Sequence, residues 1–496
     1  MLLSDLLKNI KYESISHNIE GIAVDSICRD SRLVSNGSLF VCIKGSVSDG
    51  HDFARSAYSK GARIFLAEHA LDLPEDAIVI VSDNTRIALA QCSAEFFGNP
   101  QRELFIIGIT GTKGKTTTAL ATYGILNAAG ISTGYIGSNG VRFGSYSYQT
   151  ANTTPESCDL FKYMRLMADA DVKCLVMEVS SQALYMNRVY GVEFDVCCFT
   201  NLYVDHIGGA EHPTFEHYRD SKKRLFTEFG AKTIIYNADD GYAEYMIGDT
   251  DAEKISVSLT DTAADLYASN VKLSDGDSAL SVSFDTHFGR DKVSTAIPMP
   301  GRFSVYNGLM ALAICRTAGL SLFTAAKLMP TVSVDGRFES VNVIDGVSFV
   351  IDYAHNGASL EASLKALRDC SPKRLICLFG SVGGRTFNRR RELGTVAAAL
   401  ADLCILTSDN PDFEPPERVI DEIALCFDKP DSCPYVKIPD RREAIRYAVK
   451  NARKGDIILL AGKGHEDYQL ISGKKLPFSE RAIILEAAEE LVGSRR

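Results

Sequence analysis

The sequence predicts an α/β protein of three domains. Three observations carry that expectation: a length beyond one hydrophobic core, apolar strand-like runs alternating with helical patterns, and two breaks between regions of different texture. At 496 residues, 46% of them hydrophobic, the chain has material for several cores of ordinary size. A turn-rich joint, "GNPQREL", closes the first region, and "MPTVSVDGRFE" separates the second from the third. The boundaries fall at 1–98, 99–331 and 332–496.

Taken in order, "MLLSDLLKNIKYESI" reads as a short amphipathic helix whose acidic residues and missing small-residue cleavage site exclude a secretory signal. The first region then mixes short strands ("GSLFVCIKG", "AIVIVS") with helices ("FARSAYSKGA", "TRIALAQCSAEFFG"). In the second, "LFIIGIT", "VKCLVMEVS", "FDVCCFTN" and "KTIIYNA" are continuous apolar runs, the pattern of parallel strands buried on both faces. The third repeats the pattern with "VSFVIDYAH", "RLICLFGS", "DLCILTSDNP" and "GDIILLAGKGHE". Helix-flanked parallel sheets bind ligands at the C-terminal ends of their strands, so site residues are expected in the loops after these runs.

Composition excludes several classes. With 53 basic and 63 acidic residues the formal charge is -10, which disfavours a nucleic-acid partner. The 13 cysteines include no CxxC, the usage of a protein with reduced, buried thiols. No apolar stretch approaches the roughly 20 residues that span a bilayer. A soluble, cytoplasmic protein without a membrane or nucleic-acid partner is expected.

The chemistry concentrates after "LFIIGIT". The strict pattern GxxxxGK[ST] fails because Ile109 stands where its first glycine belongs. The strand instead runs into Thr110-Gly111-Thr112-Lys113-Gly114-Lys115-Thr116-Thr117, at the mouth of a helical pattern. Glycines let the backbone turn several N–H groups onto one anion, and the helix N-terminus adds its positive end. Lys115 would neutralise β and γ phosphates, and the Thr116 hydroxyl would face Mg²⁺. The loop is therefore expected to hold a nucleoside triphosphate. Glu178, which closes "VKCLVMEVSS", is a candidate metal carboxylate, and His206 follows the next strand in "TNLYVDHIGG". In "FEHYRDSKKRLFTEF", Phe215, Tyr218, Leu225, Phe226 and Phe229 share one helical face with Lys222 in their midst, while Lys223 and Arg224 rotate towards solvent. Burial lowers a lysine's pKa, and a neutral amine can take up CO₂ as a carbamate. Snorkelling of the side chain past the apolar face is the alternative.

These residues resemble the Mur ligase family, and within it the MurE branch, over essentially the whole chain. The resemblance rests on "DSRLVSNGSLFVCIKGSVSDGHDF", "TGTKGKTTT", "NTTPES", "MEVSSQAL", "FTNLYVDHIG" and "HYRDSKKRLF", in that order. It implies an N-terminal uridine-binding domain, a central P-loop ATPase domain with a mainly parallel sheet and a Rossmann-like C-terminal domain. It also implies ATP-dependent addition of the third amino acid to UDP-MurNAc-L-Ala-D-Glu through an acyl phosphate, with ATP and Mg²⁺. By the same resemblance Ser31, Arg32 and His51 would lie near UDP, and Thr153, Thr154, Ser180 and Arg188 would position the UDP-linked substrate. Lys115 and Thr116 match the ATP loop; Glu178, His206 and a carbamylated Lys222 match the metal ligands; Asn307, Arg337 and Asp352 match nucleotide contacts. Arg385 matches the arginine that grips the amino acid's carboxylate. The loops carrying Asp409, Asn410 and Asp412, and Gly462 and Glu466, resemble those that select its side chain.

Lys113, Gln182, Ser304 and Met186 stand where the family usually has Asn, His, Asn and Gln. The departure with a consequence is Asp412. Diaminopimelate-specific members read DNPR, with the arginine on the far carboxylate, whereas Asp412 would attract an ammonium, so a basic amino acid is expected, L-lysine first. Arg389, Arg390 and Arg391 read as a solvated face. A monomer is expected. The rival readings are a MurE paralogue, a MurF-like or folylpolyglutamate synthase-like ligase, and a nucleotide-dependent switch.

Overall fold

The computed structural model describes residues 1–45, 48–205, 207–208, 211–248, 250–274, 280–384 and 387–493. They form two compact units, Met1–Tyr267 with Leu309–Ala325, and Ala268–Gly308 with Ala326–Arg496. The segment 268–308, which lies inside the expected central region, thus groups with the C-terminal residues.

The first unit holds two sheets. The N-terminal one has the order Ser14–Ile15, Ile78–Val81, Ile64–Ala67, Ser38–Val41, Ser26–Cys28, antiparallel only at its first pair. One face buries Leu39, Val41, Leu66 and Ile80 against Leu3, Leu6, Leu89 and Cys92 of flanking helices. The helix Thr85–Phe96 starts where Asn84 accepts hydrogen bonds from the N–H groups of Arg86 and Ile87 at 3.1 and 3.0 Å, satisfying two orphan donors. The amphipathic reading of the first residues holds only for Leu3–Leu6. Ser14 and Ile15 are drawn into the sheet opposite Val81 and Ile80, where their backbone groups find partners that an extended first helix would not supply.

In the second sheet of this unit, the strand Phe105–Thr110 lies between Phe194–Phe199 and Cys174–Glu178, all parallel. Ala231–Asn237 and Glu253–Ser258 extend one side and Thr133–Gly137 the other, again in parallel. Each apolar run is buried on both faces, with Ile106, Ile107, Leu175, Val176, Val196 and Cys197 all at 0% exposure. The chain leaves Phe105–Thr110, passes Thr133–Gly137 on one side, fills the gap with Cys174–Glu178, then crosses to Phe194–Phe199 on the other. That reversal opens a crevice at the C-terminal ends of three neighbouring strands.

The second unit repeats the principle in the order Glu339–Ile344, Val347–Asp352, Asp456–Ala461, Arg374–Phe379, Leu403–Leu406, Tyr435–Lys437. Only the first pair is antiparallel. A buried ion pair ties its strand ends together: Arg441 donates to Glu480 Oε1 at 2.9 Å, to the Ser408 carbonyl at 3.1 Å and to the Ala461 carbonyl at 2.9 Å. All thirteen cysteines are free thiols, and burial pushes that of Cys42 up to about 12. Among the described residues no helix is long and apolar enough to cross a membrane.

Removing one partner of a buried pair strands the other charge. Arg441→Met is therefore expected to lower unfolding free energy by about 3 to 5 kcal/mol in urea titrations, and the double change Arg441→Met with Glu480→Leu to recover most of it. Equal losses in the single and double variants would refute the coupling.

Candidate active site

The strand Phe105–Thr110 ends in a turn that only glycine fits. Gly111 has φ +146°, and a Cβ there would lie 1.9 Å from Thr200 Oγ1. Gly114, at φ +86°, caps the helix Lys115–Ala128, whose first turn carries Lys115, Thr116 and Thr117. The neighbouring strand end clamps this loop: Thr200 Oγ1 and Asn201 Nδ2 donate to the Lys113 carbonyl at 2.6 and 3.0 Å, and Asn201 Oδ1 accepts from the Lys113 N–H at 2.9 Å. Thr112 donates its N–H to the Asn201 carbonyl at 2.9 Å and meets Tyr218 through its hydroxyl at 3.0 Å. The result is a braced backbone loop at a helix N-terminus, the geometry of an anion cradle. Lys113 turns outward to Asp205 at 3.0 Å.

Glu178 is fully buried at the end of its strand. Its Oε2 accepts from Thr116 Oγ1 at 2.9 Å and from Ser138 Oγ at 3.3 Å, and its Oε1 accepts from Tyr135 OH at 2.6 Å and from the Ser138 N–H at 2.9 Å. Four donors compensate the desolvation of one carboxylate and fix its orientation. Thr116 and Glu178 together present hard oxygen ligands beside the cradle, a donor set that suits Mg²⁺.

Lys222 is only 2% exposed and donates to the Gly111 carbonyl at 3.0 Å, with its amine 4.6 Å from the centre of the Tyr218 ring. Lys115 donates to the same carbonyl at 2.8 Å and to that of Thr112 at 3.1 Å. Burial, reinforced by the Lys115 charge, holds the Lys222 amine well below the usual lysine range despite Asp205 nearby. Lys222 is therefore buried on the cradle, not snorkelling past the helix face. Its neighbour Arg224 departs from the solvent-facing expectation. Its guanidinium donates to the Leu184 carbonyl at 2.6 Å and to Asn187 Oδ1 at 2.8 Å, satisfying the end of the helix Ser181–Tyr185.

Thr154 and Ser180 adjoin Glu178: Thr154 Oγ1 donates to the Glu178 carbonyl at 2.8 Å and accepts the Ser180 N–H at 3.1 Å. Thr153 reaches Ser138 through hydroxyls 3.2 Å apart. Arg188 donates to the Thr154 carbonyl at 3.3 Å and pairs with Glu156 at 2.8 Å, in an environment whose burial lowers its pKa. In the connection between the N-terminal strands Ser26–Cys28 and Ser38–Val41, Ser31 is buried and Arg32 grips Asp30 at 2.6 Å. His51 accepts the Glu68 N–H on Nε2 at 2.9 Å, so Nδ1 carries the proton towards Asp49 at 2.5 Å.

Apart from His206, the remaining expected residues belong to the second unit. Asp352 is buried, accepts from the Phe338 N–H at 3.0 Å and the Ser363 hydroxyl at 3.1 Å, and has its pKa raised by burial against the opposing charge of Arg337. Asn307 is buried in the helix Arg302–Thr317. Asn410 donates to Glu466 Oε2 at 2.9 Å. Gly462, at φ +117°, lets Asp409 approach, since a Cβ would lie 2.9 Å from Asp409 Oδ2. Asp409 is buried, which raises its pKa while Arg441 and Lys463 counter the rise. Asp412 adopts φ 53° and caps a hairpin turn, its Oδ1 accepting from the Gly473 N–H at 2.7 Å. Arg390 is not part of a solvated face: it is 2% exposed and bonds Glu414 and Glu422, at 2.5 and 2.6 Å. Glu414, held down to about 2 by Arg390, also accepts the Gly384 N–H at 3.0 Å. His206 and Arg385 lie outside the described residues.

Residues 23–96 match the catalytic domain of the Mur ligase family, 109–315 the Mur ligase middle domain and 336–464 the Mur ligase glutamate ligase domain. The chain belongs to the Mur ligase family. This Mur ligase is 38% identical to the UDP-N-acetylmuramoyl-L-alanyl-D-glutamate–2,6-diaminopimelate ligase of Clostridium botulinum, over 99% of the chain and 100% of that protein. The ligase of the same name from Geobacillus kaustophilus is 39% identical over 93% and 94%. A solved structure of a UDP-N-acetylmuramoyl-L-alanyl-D-glutamate–2,6-diaminopimelate ligase superposes with a TM-score of 0.71 at 26% identity, covering 99% of both chains. The chain is thus a three-domain, ATP-dependent ligase of this family.

Sequence reasoning missed the braces of the site. Thr200 and Asn201, which lock the cradle, carried one signal, a polar pair closing the apolar run "FDVCCFTN". Tyr135 and Ser138, which hold Glu178, lie in "GYIGS" with no distinguishing pattern, although a Cβ at Gly137 would lie 2.3 Å from Glu178 Oε1. Because the cradle of this Mur ligase tolerates no Cβ at position 111, Gly111→Ala is expected to weaken ATP binding by at least about 100-fold by calorimetry while the protein stays folded. Unaltered affinity would show that the cradle does not bind the nucleotide.

Proposed function

We propose that this Mur ligase joins a third, diamino acid to UDP-MurNAc-L-Ala-D-Glu at the expense of ATP. The observation that carries the reading is the convergence of Lys115, Lys222 and the Thr116–Glu178 pair on one glycine cradle, in a chain aligned end to end with ligases named for that substrate. A carboxylate is a poor acyl donor. An oxygen of the D-Glu side-chain carboxylate attacks the γ-phosphorus, ADP leaves, and an acyl phosphate results. The deprotonated amine then attacks the acyl carbon, and inorganic phosphate departs as the amide forms. Lys115 neutralises charge on the transferring phosphoryl group. Thr116, Glu178, His206 and a Lys222 carbamate would hold Mg²⁺, which supplies Lewis-acid stabilisation of the phosphates when bound. Supporting the carbamate, a dry, low-pKa amine meets the chemical requirement for uptake of CO₂.

The boundaries 1–98, 99–331 and 332–496 remain our assignment of the UDP-binding, ATP-binding and amino-acid-binding domains. Asn307, Arg337 and Asp352 are proposed to serve the nucleotide. Ser31, Arg32, His51, Thr153, Thr154, Ser180 and Arg188 are assigned to the UDP-linked substrate, and Arg385, Asp409, Asn410, Asp412, Gly462 and Glu466 to the amino acid. A cytoplasmic monomer fits a reaction on soluble nucleotide-linked precursors.

Two readings of the amine have separate support. The relatives are named for diaminopimelate. Asp412 favours L-lysine, because the Gly473 N–H keeps an acidic side chain at the pocket loop where an arginine would pair with a second carboxylate. Phosphate release with ATP, UDP-MurNAc-L-Ala-D-Glu and each amine is the deciding experiment. Release is expected only when all three components are present, with lysine turned over faster than diaminopimelate, and Asp412→Arg is expected to shift the ratio towards diaminopimelate by about tenfold. Wild-type preference for diaminopimelate would remove the lysine reading; release without an amine would remove the ligase mechanism.

Lys222→Ala is expected to lower kcat by at least about 1,000-fold, with partial rescue by added short carboxylates that replace the carbamate. Full activity of that variant would eliminate the metal role of Lys222.

A further inference from the structure

Lys463 is a cation with no access to solvent. Its side chain is 0% exposed and lies beneath the rings of Tyr468 and Phe478, at 5.5 and 6.0 Å from their centres. The amine donates to Asn410 Oδ1 at 2.9 Å and to Glu466 Oε2 at 3.0 Å, with Asp409 Oδ1 at 3.7 Å. None of the roles drawn from the resemblance uses this lysine, and its burial rules out direct contact with a ligand in the described conformation.

Its partners are the residues assigned to the amino acid. Asn410 Oδ1 takes two donors, Lys463 Nζ and the Leu470 N–H at 2.9 Å. An amide flip would set its NH₂ against an ammonium and an N–H, so one orientation alone is satisfied. In that orientation Nδ2 faces Glu466 Oε2 at 2.9 Å. Glu466 Oε2 is then filled by Lys463 and Asn410, while Oε1 takes no hydrogen bond among the described residues. The pair therefore presents one carboxylate oxygen and one remaining amide N–H, each with a fixed direction.

We propose that Lys463 is a positioning residue for the incoming amino acid, orienting Asn410 and Glu466 so that the free Glu466 oxygen receives the substrate's ammonium. This rests on the amino-acid role given to those two residues above. Lys463 also offsets the mutual repulsion of Glu466 and Asp409, two carboxylates that would otherwise face each other in a dry site. Without the cation Asn410 is free to flip, Glu466 to swing away, and the ammonium site loses its geometry.

The test uses the full-length protein and steady-state kinetics with each substrate varied in turn. Lys463→Met is expected to raise KM for the amino acid about tenfold or more, to change kcat by less than about threefold, and to leave KM for ATP and for UDP-MurNAc-L-Ala-D-Glu unchanged. A folded variant with unaltered amino-acid KM would overturn the proposal, as would a parallel rise in all three KM values, the mark of a purely structural part. Should the methionine variant fail to fold by circular dichroism, Lys463→Gln keeps a donor to Asn410 while removing the charge, and the same selective rise is expected. Failure of both to fold would make Lys463 a core residue and end the inference. If the wild type ligates none of the diamino acids, the functional reading falls first, an outcome separable because it needs no variant.

Discussion

One carbonyl oxygen, that of Gly111, accepts hydrogen bonds from two lysines, Lys115 and Lys222. Two ammonium groups sharing so small a site repel strongly in a low dielectric. The conflict is resolved by position: Lys115 is partly buried at the helix mouth, whereas Lys222 is sealed beneath the loop, where burial and its neighbour's charge both favour the neutral amine. The cradle thus sets a partly buried lysine next to a fully buried one whose neutral form is favoured. Both depend on Gly111, whose backbone conformation and lack of a Cβ bring the carbonyl between them.

What the sequence could reveal came from periodicity and from local order. The strand, glycine loop and helix at 105–128 are contiguous, so their geometry was legible in order, and the burial of Lys222 was legible because a helix repeats its face every three to four residues. Braces that come from a distant strand end were not: Thr200 and Asn201 reach the loop only after the sheet sets Phe194–Phe199 beside Phe105–Thr110. Similarly, three consecutive arginines read as a solvated run, yet Arg390 is buried because Glu414 and Glu422, from a later loop and helix, supply two carboxylates to it. The direction of Asp412 was equally hidden, since its cap on Gly473 depends on how the hairpin Tyr468–Ile471 and Lys474–Pro477 docks beside it.

Both main sheets use the same device at their C-terminal edges. Continuous apolar strands bury the backbone, and the polar residues that close or follow them are held by hydrogen bonds: Glu178 by four donors in one unit, and Asp352 and Asn410 by theirs in the other. Such edges are costly to build, because each buried polar atom requires a partner. They supply groups already aimed, so that little reorganisation is left for the moment of reaction.

The carboxylate of Glu414 joins two loops, taking the Arg390 guanidinium on both oxygens and the Gly384 backbone on one of them. Gly383 completes the seam, for a Cβ there would lie 1.9 Å from the Pro411 carbonyl. Segments 383–384 and 409–414 consequently travel as a single slab, unable to part without stranding a desolvated guanidinium. The exposed Phe413 side chain can be exchanged without touching this seam, whereas an insertion between its contacts would break it.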